Sequence, residues 1–303
     1  MSNTLYNSSA HFTKSISIEN VFGFSLIIVT IYCMSTIFQK NIETMESDSS
    51  PQFIIKRGDN IYDDFYVDIY DTLFFYKPKH DYELSLIFEK TSPTRNSKIL
   101  DIGSGTGHHV GDINKAGYNV KGIDISRSMI KKAMQNYPNS DFVQGDVLKS
   151  ITFPSNSFTH IICMNFTIYV INDMDLLFNN CMNWLTSDGY LIVHIADPTM
   201  FNPILNISES TYSDGPKIIS HSTINDYKCE TTFNIIENNA TFTETFKNVH
   251  NDDVRKNFHE ITMPTPENMK IKADAHGFIF KSRSKLHTVG YEGQYIYFFK
   301  KSA

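Results

Sequence analysis

The sequence predicts an α/β fold built on a parallel sheet, and three observations carry that expectation. The stretch Ile99 to Val110, Ile-Leu-Asp-Ile-Gly-Ser-Gly-Thr-Gly-His-His-Val, reads as a short buried strand, a turn and the start of a helix. Its glycines, Gly103, Gly105 and Gly107, fall at alternate positions, as where a backbone takes φ > 0 or lets a ligand approach without a Cβ in the way. Next, Tyr118-Asn-Val-Lys-Gly-Ile-Asp124 is a second strand closing on an acid, the place where such sheets present a carboxylate to a ligand. Finally, strand and helix patterns alternate as far as Asp197. That alternation implies parallel strands joined by right-handed crossovers.

The elements follow in order. A helix is expected after Asp59, with Tyr62, Phe65, Tyr66, Ile69, Tyr70, Leu73 and Phe74 on one face at helical spacing. Pro78 is expected to end it, and a second helix spans about Tyr82 to Lys90. Strands are placed at about Lys98–Ile102, Val120–Asp124, Phe142–Gln144, His160–Met164 and Tyr190–Ala196. Between them lie a helix from Gly107 to about Ala116, closed by Gly117, and one after Ser126 as N-cap. A third runs from Asp173 to Leu185, with Gly189 opening the following strand. After Asp197 the alternation stops. Residues 228–263 read as antiparallel strands turning at Asn238-Asn239 and Asn251-Asp252-Asp253. Thr265-Pro266 starts a further helix, and strands at about Phe278–Leu286 and Gln294–Lys300 complete the chain.

The glycine run decides between ligand classes. Dinucleotide binders space their glycines G-x-G-x-x-G; here the run is D-x-G-x-G-x-G, with Asp101 ahead of the first glycine. An anion at the head of the loop suits a ligand carrying an ammonium better than one carrying a pyrophosphate. The run resembles motif I of the class I S-adenosylmethionine-dependent methyltransferases. The resemblance continues through Asp146 after the third strand, Phe158 to Phe166 at the fourth, and Leu185 to His194 at the turn into the fifth. It covers roughly residues 60–197 and resumes near 260–303. It implies a Rossmann-like seven-stranded methyltransferase sheet, here with an antiparallel β insert at about 198–262, preceded by an N-terminal hydrophobic helix. The expected domains are a tail, span and linker over 1–50 and a methyltransferase domain over 51–303.

By that resemblance the cofactor is S-adenosyl-L-methionine. Its expected contacts are Asp101, Gly103, Ser104, Gly105, Gly107, Asp124, Ile125, Asp146, Val147 and Met164. Asp124 would hold the ribose hydroxyls, and Asp146 would lie by the adenine amino group. Tyr62, Tyr66 and Tyr70 are candidate substrate contacts, because aromatic faces attract a sulfonium or an amine; core packing is the competing reading. His194, on the fifth strand, and Tyr169, after the fourth, are the catalytic candidates, each against a purely structural role. No unmistakable general base stands out, and a base is needed only when the attacking atom must lose a proton.

Composition narrows the acceptor. A net charge of −6 argues against a nucleic-acid partner. The stretch Asn165-Phe166-Thr167-Ile168 lacks the Pro-Pro run of adenine amino-methylating enzymes. Cys163, followed by Met164, lacks the context of a cytosine-methylating nucleophile. A small molecule is expected, with an amine among the candidates; a protein side chain, or an inactive cofactor-binding scaffold, stays as the alternative. The four cysteines show no metal-ligand spacing, so no metal is expected.

Residues 21–38 are uncharged and mostly apolar. They are read as a single membrane anchor, against a cleaved signal peptide or a core helix. The flanking charges, Lys14 before and Lys40, Lys56 and Arg57 after, put the catalytic domain on the cytosolic side. A soluble cytoplasmic protein is the alternative.

Overall fold

The computed structural model describes residues 29–38, 51–201, 208–214 and 217–302. Two compact units divide after Gln52. In the first, residues 29–38 form a helix with exposed side chains. Among the described residues no helix is long and apolar enough to cross a membrane. The expected anchor over residues 21–38 is not supported by the described residues; its residues 21–28 lie outside them.

The second unit holds two sheets. The seven-stranded sheet contains β2 (Lys98–Ile102), β3 (Asn119–Asp124), β4 (Asp141–Gln144), β5 (Phe158–Cys163) and β6 (Leu185–Ala196). It is completed by β12 (Phe278–Lys285) and β13 (Gln294–Lys301), in the order β12-β13-β6-β5-β2-β3-β4. The first five strands run parallel, and β13 runs antiparallel to both of its neighbours. Strand order reverses between β2 and β5, and that switch point is where a sheet of this kind opens a crevice at its carboxyl edge.

Helices α3 (His108–Lys115), α4 (Arg127–Asn136), α5 (Thr167–Val170), α6 (Met174–Trp184) and α7 (Pro266–Ala275) connect these strands. Their starts are readable locally. The Ser126, Asp173 and Thr265 side chains each accept a backbone N–H of the first helical turn. Two expectations shift: Pro78 lies in the first turn of α2 (Lys77–Thr91) and does not end the helix before it. Strand β6 begins at Leu185, ahead of Gly189, through a left-handed Asp188.

The second sheet runs β1-β11-β10-β9-β8-β7. Its members are β1 (Phe53–Arg57), β7 (Ser210–Asp214), β8 (Lys217–Ile224), β9 (Tyr227–Ile236), β10 (Asn239–Asn248) and β11 (Val254–Thr262). The expected insert is there, but β7 and β8 lie ahead of the 228–263 stretch read as strands, and β1 lies outside the insert altogether. Strand β1 pairs in parallel with β11, Phe53 opposite Val254.

Helix α1 (Asp64–Phe74) packs Tyr66, Ile69 and Leu73 against Ile224, Cys229 and Phe246 of this sheet. Arg255 fastens the two together. Its Nη1 donates to both oxygens of Asp63 at 2.8 and 2.9 Å, and its Nη2 donates to the Ile61 carbonyl. Asp63 in turn caps α1 through the Tyr66 N–H. Arg255→Ala removes the ties to Asp63 and Ile61 and leaves Asp63 with Lys56, 3.1 Å away, so a loss of about 2 kcal/mol of unfolding free energy is expected. Urea denaturation checks this; a loss below about 0.5 kcal/mol would mean that the clamp is not structural.

Candidate functional site

The switch point leads directly to the glycine turn. Gly103 and Ser104 donate their N–H groups to the Ile123 carbonyl, which folds the loop back over β3. All three glycines adopt φ > 0, but for different reasons. A Cβ on Gly103 would lie 2.4 Å from the Thr167 side chain, and one on Gly107 would lie 2.7 Å from Phe142. These two are packing glycines. A Cβ on Gly105 would meet only Tyr70, at 3.9 Å, so Gly105 faces open space. The Asp124 carboxylate accepts the Gly105 N–H at 3.0 Å and the Ser126 N–H at 2.8 Å. The acid at the end of β3 is thereby fixed against the loop.

Helix α1 closes over this turn. Asp71 accepts Thr106 Oγ1 at 2.6 Å and faces His108 Nε2 at 3.1 Å. His108 stacks on Phe75 with ring centroids 3.8 Å apart. Between loop and helix lies a narrow cleft of about 50 Å³, lined by Asp101, Gly103, Ser104, Gly105 and Met164 from the sheet side and Tyr70, Lys79 and His109 from the helices. Asp101 is buried, and burial pushes its carboxyl up to about 7. Burial likewise raises Asp124 to about 6, against the backbone N–H groups of Ser126, Gly105 and Ile125 that favour the anion. The Ser104 hydroxyl is buried without a hydrogen-bond partner. A buried carboxylate, an orphaned hydroxyl and an open Gly105 fit a ligand that brings an ammonium and polar atoms into the turn.

Beneath the cleft, Lys79 is buried between Glu83 Oε1 and Asn165 Oδ1, both at 2.6 Å. Burial opposes the Glu83 charge, yet Lys79 and then His109 hold its carboxyl well below the usual range.

A larger cavity of about 180 Å³ adjoins the cleft under the second sheet and shares Tyr70, Phe74, Lys79 and Asn165 with it. Aromatic residues dominate its wall: Tyr62 and Tyr66 from the α1 side, Phe166 and Phe201 below, and Phe233 and Phe242 from the sheet above. All three tyrosines of the sequence reading line it. Tyr66 is the most buried of them, and its hydroxyl donates to Glu244 Oε1 at 2.9 Å.

Other expected residues are placed differently. Asp146 turns its carboxylate to the Leu148 N–H. Neither it nor Ile125, Val147, Gly107 and Asp124 is among the residues lining the narrow cleft. His194 is fully buried, its Nε2 3.1 Å from Gln294 Oε1, and burial lowers it to about 3. A neutral imidazole beneath Phe166 is a core group. The Tyr169 hydroxyl accepts the Ala196 N–H and donates to the Ala196 carbonyl, bracing β6. Neither residue lines the two cavities, and the catalytic expectation for both is corrected accordingly.

Sequence reasoning missed His259 and Glu244. His259 lines the aromatic cavity, and its Nε2 lies 3.0 Å from Glu244 Oε2. The signal was present. Arg255, Asn257 and His259 alternate along β11 and so share one face, an unusually polar pattern for the inward side of a strand.

Residues 100–193 match the methyltransferase domain family model. Over that segment the chain is similar to methyltransferase domains. Phosphoethanolamine N-methyltransferase of Plasmodium falciparum is 33% identical over 103 residues, 32% of this chain and 38% of that protein. Demethylmenaquinone methyltransferase of Chlorobaculum tepidum is 35% identical over 81 residues, 26% of this chain and 33% of that protein. The chain thus spans well under half the length of the curated relatives it matches. The methyltransferase fold extends further. The CcbJ methyltransferase of Streptomyces caelestis superposes with a TM-score of 0.63 at 13% identity, covering 81% of this chain and 99% of that one.

Proposed function

We propose that the chain is an S-adenosylmethionine-dependent methyltransferase acting on a small-molecule acceptor of amine type. The observation that carries this reading is the shared wall of the two cavities. The cleft at the glycine turn and the aromatic chamber roofed by β9–β11 have Tyr70, Phe74, Lys79 and Asn165 in common, which puts a cofactor site and an acceptor site side by side. Asp101 would hold the cofactor's ammonium and Asp124 its ribose hydroxyls, with Gly105 leaving room for its backbone. When bound, the cofactor supplies a methyl group on a positively charged sulfur. Transfer then depends chiefly on holding the acceptor in line, and the aromatic walls of the chamber would do this.

Two of the similar structures support an amine acceptor. One is an amino pentose methyltransferase from Micromonospora echinaspora (TM-score 0.53, 14% identity, 74% of this chain and 92% of that one). The other is a sugar N-methyltransferase from a Streptoalloteichus species (TM-score 0.55, 15% identity, 74% and 87%). The test is transfer of labelled methyl from the cofactor to small amines, to protein and to nucleic acid in parallel. Label confined to the small-amine fraction is expected; label only in protein would give the site to a side-chain acceptor.

The raised carboxyls make binding pH-dependent. An ammonium beside Asp101 and hydroxyls on Asp124 favour the ionised forms, so each protonated group loses its proton when the cofactor binds. With values of about 7 and about 6, proton release is expected at pH 6.5 and should vanish by pH 8.5. Calorimetry in buffers of different ionisation enthalpy reads this directly; equal heats in both buffers at pH 6.5 would contradict it.

A further inference from the structure

We propose that His259 is the base that takes the acceptor's proton, that Glu244 positions it, and that the acceptor is a primary or secondary amine carried on an apolar body. This rests on the methyltransferase reading above.

The geometry builds the base from the strand register upward. In the β10–β11 pair Glu244 lies opposite Asn257, and Phe242 opposite His259. Glu244 is wholly buried, yet its carboxylate accepts from three sides. Tyr66 Oη donates to Oε1 at 2.9 Å, and Asn257 Nδ2 and His259 Nε2 reach Oε2 at 3.1 and 3.0 Å. Asn257 is itself held by Arg255 Nε at 2.9 Å. A buried carboxylate is expensive and contributes less than apolar packing unless it serves a purpose. Here the chain of contacts fixes one proton position. With Nε2–H donated to Glu244, the lone pair of His259 lies on Nδ1, and the ring stands in the wall of the aromatic cavity. The titratable groups facing that ring are Glu244 from β10 and Tyr62 and Tyr66 from the α1 side, with ring centroids at 6.3 Å for both tyrosines, and the Phe242 ring lies 5.4 Å away. Among the chamber's other polar side chains, Lys79 is committed to Glu83 and Asn165, and Gln294 to His194.

The class of acceptor follows from the lining. Ring faces attract an ammonium, and an ammonium cannot attack until it is deprotonated. The N–H bond breaks with its proton passing to His259 Nδ1. The freed lone pair forms the new N–C bond to the methyl carbon, while the electrons of the C–S bond stay on sulfur. The imidazolium then returns its proton to solvent.

The experiment uses the full chain with phenethylamine, tyramine and tryptamine as acceptors and S-adenosylhomocysteine as the binding probe. Wild type is expected to methylate at least one of the three, with a rate that falls on the acid side as the base is protonated. His259→Asn should lower kcat by about 100- to 10,000-fold and remove that acid limb, leaving KM and S-adenosylhomocysteine affinity within about twofold. Glu244→Gln should move the midpoint of the acid limb downward, because a removed negative charge destabilises the imidazolium. Nitrogen-15 spectra of the histidine rings should place the His259 proton on Nε2, a readout independent of turnover. His259→Gln serves if the Asn variant fails to fold, as judged by circular dichroism. An unchanged pH profile and kcat in the folded variant would overturn the base, as would a variant that loses cofactor affinity along with turnover. Binding of S-adenosylhomocysteine with no amine methylated would overturn the acceptor class. Absence of that binding would instead sink the methyltransferase reading itself.

Discussion

Asp124→Ala is expected to weaken S-adenosylmethionine binding by about 30- to 1000-fold, since hydrogen bonds to a charged carboxylate are worth about 1.5–3 kcal/mol each. The residue does two jobs at once. Its Oδ2 accepts the Gly105 N–H and its Oδ1 the Ser126 N–H, so it both shapes the turn and presents an anion to the ribose. Asp124→Asn separates the two, because the amide oxygen still accepts a backbone N–H while the charge is gone. The asparagine variant should therefore bind more tightly than the alanine one and still fall at least tenfold short of wild type. Calorimetric titration checks the order. Because burial sets the Asp124 carboxyl at about 6, wild-type affinity should also fall as pH drops below that value, and neither variant should show that contribution. An alanine variant that binds like wild type would remove Asp124 from the site.

The second large effect separates the glycines. Gly105→Val is expected to abolish cofactor binding, by at least 100-fold, while the domain still folds. The added side chain enters open space and meets only Tyr70, at 3.9 Å from the Cβ. The cost to folding is limited to holding a branched residue at φ +52°, on the order of 1–2 kcal/mol. Gly103→Val should behave differently, because its Cβ would stand 2.4 Å from Thr167 in a packed wall. It is expected to lower thermal stability first. If the two variants prove equally destabilised, Gly105 is a packing glycine and the cradle lies elsewhere.

What could be read from the sequence was what is encoded locally. The glycine turn, the acid closing β3 and the Ser126 cap depend on neighbouring residues, so pattern sufficed. The seven-stranded sheet followed from the alternation and the resemblance together. The parallel pairing of β1 with β11 joins segments far apart in the chain, with no turn between them to announce it. The base was hidden for the same reason. His259 looks like any histidine on a strand until the register sets Glu244 beside it and α1 delivers Tyr66. His194 misled in the opposite direction. Its position at the end of β6 suggests a site, but its side chain faces the core, where burial keeps it neutral. The tyrosines of α1 were visible as a helical stripe, and the same stripe serves both packing and the cavity wall.

Titration of the full chain with S-adenosylhomocysteine, S-adenosylmethionine and NAD by calorimetry at pH 7.5 tests the central claim most directly. The account predicts one equivalent of either sulfur ligand bound with a Kd in the micromolar range, displaced by the other, and no heat with NAD. Saturable binding of NAD with none of S-adenosylhomocysteine would contradict it.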